Sequence, residues 1–385
     1  MRSRFDVALA VSLLTLLTAG CGASEIRVGA ILPLSGPGEI YGQMARKGIE
    51  LAVDEVNAQG GVRGKNLAVL IRDSKSLSSA GLEQAMDLID DEEVPAIIGE
   101  LLSEVTLEVA ALAERKQVVL LSPASSVPKL TQAGLYVFRN YPSDALEGAQ
   151  VAQFASEKAR LLDMVVVAVS NAYGQGLKEA FLRYYTGANR EVHKVINFHD
   201  GAPDVASIAS QIEELRPDGV YLIAYALDRR VILEELRRRG ITARLIGTRD
   251  SRDIILAVGE AAEGMIVPLD DYDPASADPV VQEFVKVYGA KFGGETPGLW
   301  AAQAYDATRM LARAIQEAEG TYGQAVQIRL SALEGYRGVT GLIDLDANGD
   351  VARRPTIYVV QNGAFVLYDQ LESGQAPAPA PGGQS

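Results

Sequence analysis

The sequence predicts the α/β class: two successive lobes, each a parallel-rich sheet covered by helices. Three observations carry this. Short, near-continuous apolar runs alternate with amphipathic helical stretches, the pattern of parallel strands buried on both faces. The alternation restarts after Pro142, and 385 residues are enough for two cores. A composition of 48% hydrophobic and 22% charged residues excludes a disordered or fibrous chain.

In chain order, Ile26 to Leu34 reads as a strand. Ile49, Ala52, Val53 and Val56 recur at i, i+3, i+4 and i+7, one face of a helix that Gly60-Gly61 stops. Strand-like runs follow at Leu67 to Arg72, Ala96 to Gly99 and Val118 to Leu121. The second block has strands at Met164 to Val169, Val192 to Phe198, Val220 to Tyr225 and Leu245 to Gly247. Beyond Asp271 come two further helices, the second with Ala304, Ala307, Leu311, Ala314 and Ile315 on one face. Thr356 to Val360 and Ala364 to Tyr368 then flank Gln361-Asn362-Gly363, a hairpin signal. A chain arranged this way crosses between lobes more than once, which makes a hinge and a cleft beside it.

The ends read differently. Arg2 and Arg4 precede an apolar run from Val7 to Leu17, the pattern of a secretory leader over residues 1–20. That run is too short to span a bilayer comfortably. Cys21, the only cysteine, follows Thr18-Ala19-Gly20 and is the expected lipidation site and membrane anchor. One cysteine forms no internal disulfide. From Ser373 no apolar residue exceeds alanine, so a disordered tail is expected over 372–385.

A net charge of -14 argues against nucleic acid as the main partner. The sequence offers no catalytic constellation, and the expectation is a binder rather than an enzyme, with no cofactor and no metal. Gly60 to Asn66, GGVRGKN, is one residue short of a phosphate loop and follows a helix. Asp344 to Asp350 starts like a calcium loop, but Pro355 stands at the twelfth position where a bidentate glutamate is required. His193 and His199 lack ligand-spaced partners. No residue pattern supplies Ser103 or Ser122 with both a base and its orienting carboxylate.

What the strand ends carry is hydroxyls. Ligands of open parallel sheets bind beyond the carboxyl ends of the strands, and there Ser103 opens a helix after the strand at Ala96 to Gly99. Two readings stand: Ser103 caps the helix, or its hydroxyl joins the free N–H groups of the helix start in holding a carboxylate. The stretch LLSPASS, Leu120 to Ser126, would supply facing donors from the next strand end, stiffened by Pro123.

With VGAILPLSG from Val28, YGQMARKGIELAVDEVNAQGGVRG to Gly64, IIGELLSEVT at Ile97 to Thr106, LLSPASS, FRNYPSDA at Phe138 to Ala145 and YGQGLKEAF from Tyr173, the chain resembles the leucine/isoleucine/valine-binding protein family. GEAAEGM from Gly259, YDA at Tyr305 to Ala307 and GVTGLIDLDANGD from Gly338 continue the resemblance. It covers residues 26–370. It implies a type I periplasmic binding protein fold: two Rossmann-like lobes, 24–140 with 271–342 and 141–270 with 343–371, joined by three crossovers. It further implies a solute receptor of an ABC importer, partnered by a membrane permease and by an amino acid or related carboxylate in the cleft. On it, Ser103 donates to the carboxylate, the Ala124 carbonyl meets the ammonium, and Ser126 contributes hydroxyl and backbone N–H. Tyr41, Tyr173, Tyr225 and Trp300 match positions of aromatic walls. Where an acidic second-lobe residue usually meets the ammonium, this chain has IGTRDSRD; the closest register places Arg249 there, with Asp250 next. Asp250 turned inward still fits an α-amino acid. Arg249 turned inward favours a solute with a second anionic group or without the ammonium. The other reading, from a different class, is an envelope lipoprotein using the same fold as a sensor or scaffold; a cleft filled by the protein's own side chains would mark it.

Overall fold

The computed structural model describes residues 25–187, 190–270 and 272–372. The expected leader, Cys21 and the tail from Ser373 lie outside the described residues.

The first sheet comprises β1 (Ile26–Leu32), β2 (Leu67–Asp73), β3 (Ala96–Gly99), β4 (Val119–Ser122) and β5 (Val137–Arg139), in the order β2-β1-β3-β4-β5, and every pair is parallel. Helices α1 (Glu39–Ala58), α2 (Ser78–Met86) and α3 (Ser103–Lys116) make the connections. β3 and β4 are buried along their whole length, which is why they read as unbroken apolar runs.

The chain then leaves for a second sheet. β6 (Asp163–Val169), β7 (Glu191–Phe198), β8 (Gly219–Ile223), β9 (Arg244–Ile246) and β10 (Ile266–Leu269) run parallel, linked by α5 (Ala172–Tyr185), α6 (Val205–Leu215), α7 (Ala226–Arg238) and α8 (Arg252–Leu256) after an entering helix α4 (Asp144–Gln153). Helices α9 (Pro279–Lys291), α10 (Leu299–Glu317) and α11 (Gly323–Ser331) and the hairpin of β11 (Tyr336–Gly338) and β12 (Gly341–Ile343) return to the first lobe, where α10 packs along α1. Finally β13 (Thr356–Gln361) and β14 (Ala364–Leu367) add antiparallel strands to the second sheet, ordered β14-β13-β10-β9-β8-β6-β7. The chain thus passes between the lobes three times, after β5, β10 and β12.

Several short elements have no counterpart in the sequence expectations. β5 and the hairpin strands β11 and β12 span three residues each, too few to show a period. β10 contains Pro268, which weakens a strand signal. The expected hairpin turn is present, with Asn362 and Gly363 at φ of 52° and 71°, but Tyr368 begins a short helix rather than ending β14.

Two crossovers are clasped together. Arg139, at the end of β5, is fully buried and donates from Nε and Nη2 to the Asp350 carboxylate at 2.7 and 2.6 Å. The Arg139 N–H also donates to the Gly349 carbonyl at 2.9 Å. Asp346 accepts from the N–H groups of Asn348 and Asp350, so DLDANGD is a self-bonded turn.

Candidate functional site

All nine residues expected at the site line one cavity between the lobes: Tyr41, Ser103, Ala124, Ser126, Tyr173, Tyr225, Arg249, Asp250 and Trp300. The space open to the centre of a water-sized sphere is about 50 Å³, against the roughly 10–15 Å³ that one water needs. The cavity therefore suits a small solute.

The first-lobe wall is built at the ends of β3 and β4. The capping reading of Ser103 is corrected: Leu102 is the cap residue of α3, no side chain caps it, and Ser103 is already helical. Glu100 does the nearby work, its buried carboxylate accepting from the Leu102 N–H at 2.5 Å and from Ser74 Oγ at 2.7 Å. Burial pushes the Glu100 carboxyl up to about 7, against these hydrogen bonds. Relieved of capping, Ser103 Oγ accepts from Ser125 Oγ at 3.3 Å, which leaves its own proton for an acceptor in the cavity. In LLSPASS only part of the hydroxyl set faces the cavity. Ser122 Oγ donates to the Glu100 carbonyl at 2.7 Å and accepts from the Ser125 N–H at 3.0 Å, fixing the loop from within. Ser126 Oγ donates to Asp144 Oδ2 at 2.9 Å.

An aromatic box closes the sides. Tyr173 stacks on Tyr225 at 5.2 Å between ring centroids, and the Trp300 edge meets Tyr41 at 5.8 Å. Further hydrogen bonds cross from lobe to lobe here: the Ala226 N–H donates to Tyr41 Oη at 2.9 Å, Trp300 Nε1 to Asp250 Oδ1 at 3.0 Å, and the Leu299 N–H to Ser251 Oγ at 2.9 Å. The lobes are therefore in direct contact beside the cavity.

The second-lobe wall resolves the choice between Arg249 and Asp250: both border the cavity, each held by partners. Asp250 accepts from Arg229 Nη2 at 2.6 Å and from the Ser251 N–H at 2.7 Å, besides Trp300. Arg249, with 1% of its side chain exposed, donates from Nε to Glu147 at 3.1 Å and from Nη1 to Asp270 at 3.1 Å, and its guanidinium lies 5.1 Å from the Tyr141 ring centre. Burial alone would lower its pKa, but Asp270, Tyr141 and Glu147 raise it well above the ordinary value, so it stays charged. Its Nη2 has no hydrogen-bond partner.

Sequence reasoning missed Tyr141, Asp144, Glu147 and Thr248, which also line the cavity. Burial, reinforced by Glu147, pushes the Asp144 carboxyl up to about 8. Burial likewise raises Glu147, opposed by Arg249. Asp144 and Glu147 lie three apart at the start of α4 and so share a face, but this pattern is common on solvated helices. Only the placement of α4 directly after a crossover turns them inward.

The sequence profile of the family described as Periplasmic binding protein matches residues 25–364. A leucine-, isoleucine-, valine-, threonine- and alanine-binding protein of Pseudomonas aeruginosa is 24% identical over 332 residues, 86% of this chain and 88% of the relative. Among solved structures, a leucine-binding protein from Thermotoga maritima is 29% identical with a TM-score of 0.80, covering 89% of this chain and 97% of that one. An ABC transporter substrate-binding protein from Desulfitobacterium hafniense in complex with Leu is 28% identical with a TM-score of 0.75, covering 89% and 100%. With two open sheets, three crossovers, an interlobe cavity and a profile spanning nearly all of the described residues, the chain belongs to the periplasmic binding protein family.

Proposed function

We propose that this chain is the extracytoplasmic solute receptor of an ABC importer, closing its lobes on a small polar solute, an amino acid or related carboxylate, and presenting it to a membrane permease. The observation that carries the reading is the cavity between the lobes, with Ser103, Ser126 and the N-terminal N–H groups of α3 on one lobe and charged side chains on the other. The relatives named above, described as amino-acid-binding and transporter proteins, point the same way. A sensor or scaffold with a cleft plugged by its own side chains would not keep this space, so the transport reading is favoured. Binding is the proposed act, without a covalent step. The lobes are assigned as 24–140 with 271–342 and 141–270 with 343–371, and the crossovers as the hinge. Export and a lipid anchor on Cys21 complete the proposal, supported by the leader pattern and the small residues before Cys21. Among the described residues no helix is long and apolar enough to cross a membrane.

A thermal-shift screen of amino acids, small carboxylates and amides tests the reading. A true ligand at 100 times its Kd stabilises by about 2.7 kcal/mol, and Ser103→Ala should abolish most of that shift at the same concentration. A screen without any shift would sink the transport reading. Mass analysis of the exported protein's N-terminal peptide tests the anchor, with an unmodified Cys21 as the contrary result.

A further inference from the structure

An inference that rests on the receptor reading comes from a point beside the cavity where the lobes touch through a glycine. Directly after Ser126, Val127 and Pro128 of the first lobe meet α5 of the second at Gly176, one helical turn beyond Tyr173. Ser126 and Tyr173 both line the cavity, so the contact continues its edge, while Gly176 itself does not border it. A Cβ on Gly176 would lie 2.8 Å from Pro128 Cδ and 3.2 Å from Val127 Cγ2. Local structure gives no reason for a glycine here. Gly176 lies inside α5 and has no positive φ, and in such a place glycine weakens a helix relative to alanine. Gly174 is accounted for within its own lobe, since a Cβ there would lie 1.9 Å from the Val169 carbonyl oxygen. The atoms nearest a Cβ on Gly176 all belong to the other lobe.

The first-lobe side of this contact is not free to recoil. Pro128 Cδ belongs to a ring closed on its own backbone, and the turn that carries it is pinned to the clasp between the crossovers. The Val127 carbonyl accepts from Arg139 Nη1 at 3.0 Å, and Thr131 Oγ accepts from Arg139 Nη2 and donates to Asp350 Oδ2, both at 2.7 Å. A side chain at 176 would hold α5 off the turn, and Tyr173 off Ser126 with it, because packed elements transmit such a displacement. We propose that Gly176 is a positioning residue for solute retention: its missing side chain lets α5 come down on the Val127–Pro128 turn, and the size of the residue at 176 sets affinity without touching the solute.

Calorimetric titration of the full mature chain with leucine reads the effect. Gly176→Ala should weaken binding about tenfold and Gly176→Leu further, while the melting temperature of unliganded Gly176→Ala does not fall. Pro128→Ala removes the ring atom that a new Cβ would strike, so in that background the step from glycine to alanine at 176 should change affinity by less than about twofold. Native affinity in both 176 variants overturns the proposal. So does an undiminished loss in the Pro128→Ala background, which would mark a defect of α5 itself. A second measurement needs no solute. Trp300, the only tryptophan, lines the cavity and donates across the lobes to Asp250, so acrylamide should quench it more strongly in Gly176→Leu than in the native chain. Where leucine does not bind the native chain, quenching decides alone: equal quenching overturns the proposal, and the wider screen judges the receptor reading separately.

Discussion

Asp144 couples the cavity to pH. Its carboxyl, ordinarily near 3.8, is pushed up to about 8 by burial and by Glu147. Between those values the folded protein keeps a proton that the unfolded chain releases. The contribution is therefore full below about 3.8 and is lost as pH rises through about 8. Glu100, raised to about 7 by burial, acts in the same direction. Urea unfolding from pH 5 to pH 8.5 should show stability falling with pH through these groups, and Asp144→Asn, which fixes the neutral form, should flatten that slope. A slope unaffected by the substitution would place the titration elsewhere. At this scale the site was half legible. Ser103 was legible because strand ends of parallel sheets face ligands, and Ala124 and Ser126 through the family resemblance, whereas Ser122 and Ser125 look the same in sequence and bond the Glu100 carbonyl and Ser103. Asp144 and Glu147 give no local sign of burial.

Helix α1 owes its position to the absence of side chains. A Cβ on Gly48 would lie 2.1 Å from the Ala301 carbonyl oxygen, so α1 and α10 approach through backbone. Gly48→Ala should cost about 1–3 kcal/mol by forcing the helices apart, read as a lower urea midpoint with an unchanged slope. Because Tyr41 and Trp300 sit on these two helices, ligand affinity should fall with it. An unaltered midpoint would mean that the helices part at no cost. The long elements were readable because their periods run for many residues: the stripe Ala304, Ala307, Leu311, Ala314 and Ile315 is buried as expected. The short strands β5 and β10 were not, because pairing with neighbours rather than local pattern holds them in the sheets.

Across the whole molecule, closure is a competition between ligand contacts and the freedom of two lobes. Tyr41 Oη, accepting from the Ala226 N–H, belongs to the closed form's own contribution. Tyr41→Phe removes one neutral hydrogen bond worth about 0.5–1.5 kcal/mol, so the ligand should bind about twofold to tenfold more weakly while the aromatic wall remains. Small-angle scattering of the ligand-free variant should show a larger radius than the native chain, and equal radii would deny the bond a part in closure. The two-lobed plan itself was legible in the sequence, since the restart after Pro142 and the late strands at 356–367 dictate repeated crossings. How those crossings cooperate was not, because Arg139 and Asp350 lie 211 positions apart. Their clasp ties the first crossover to the third, and two strands fastened side by side bend together but resist sliding or twisting past one another. Such a clasp favours a swing of one lobe on the other over a slide or a twist. A swing held in this way brings the jaws back to one register at each closure.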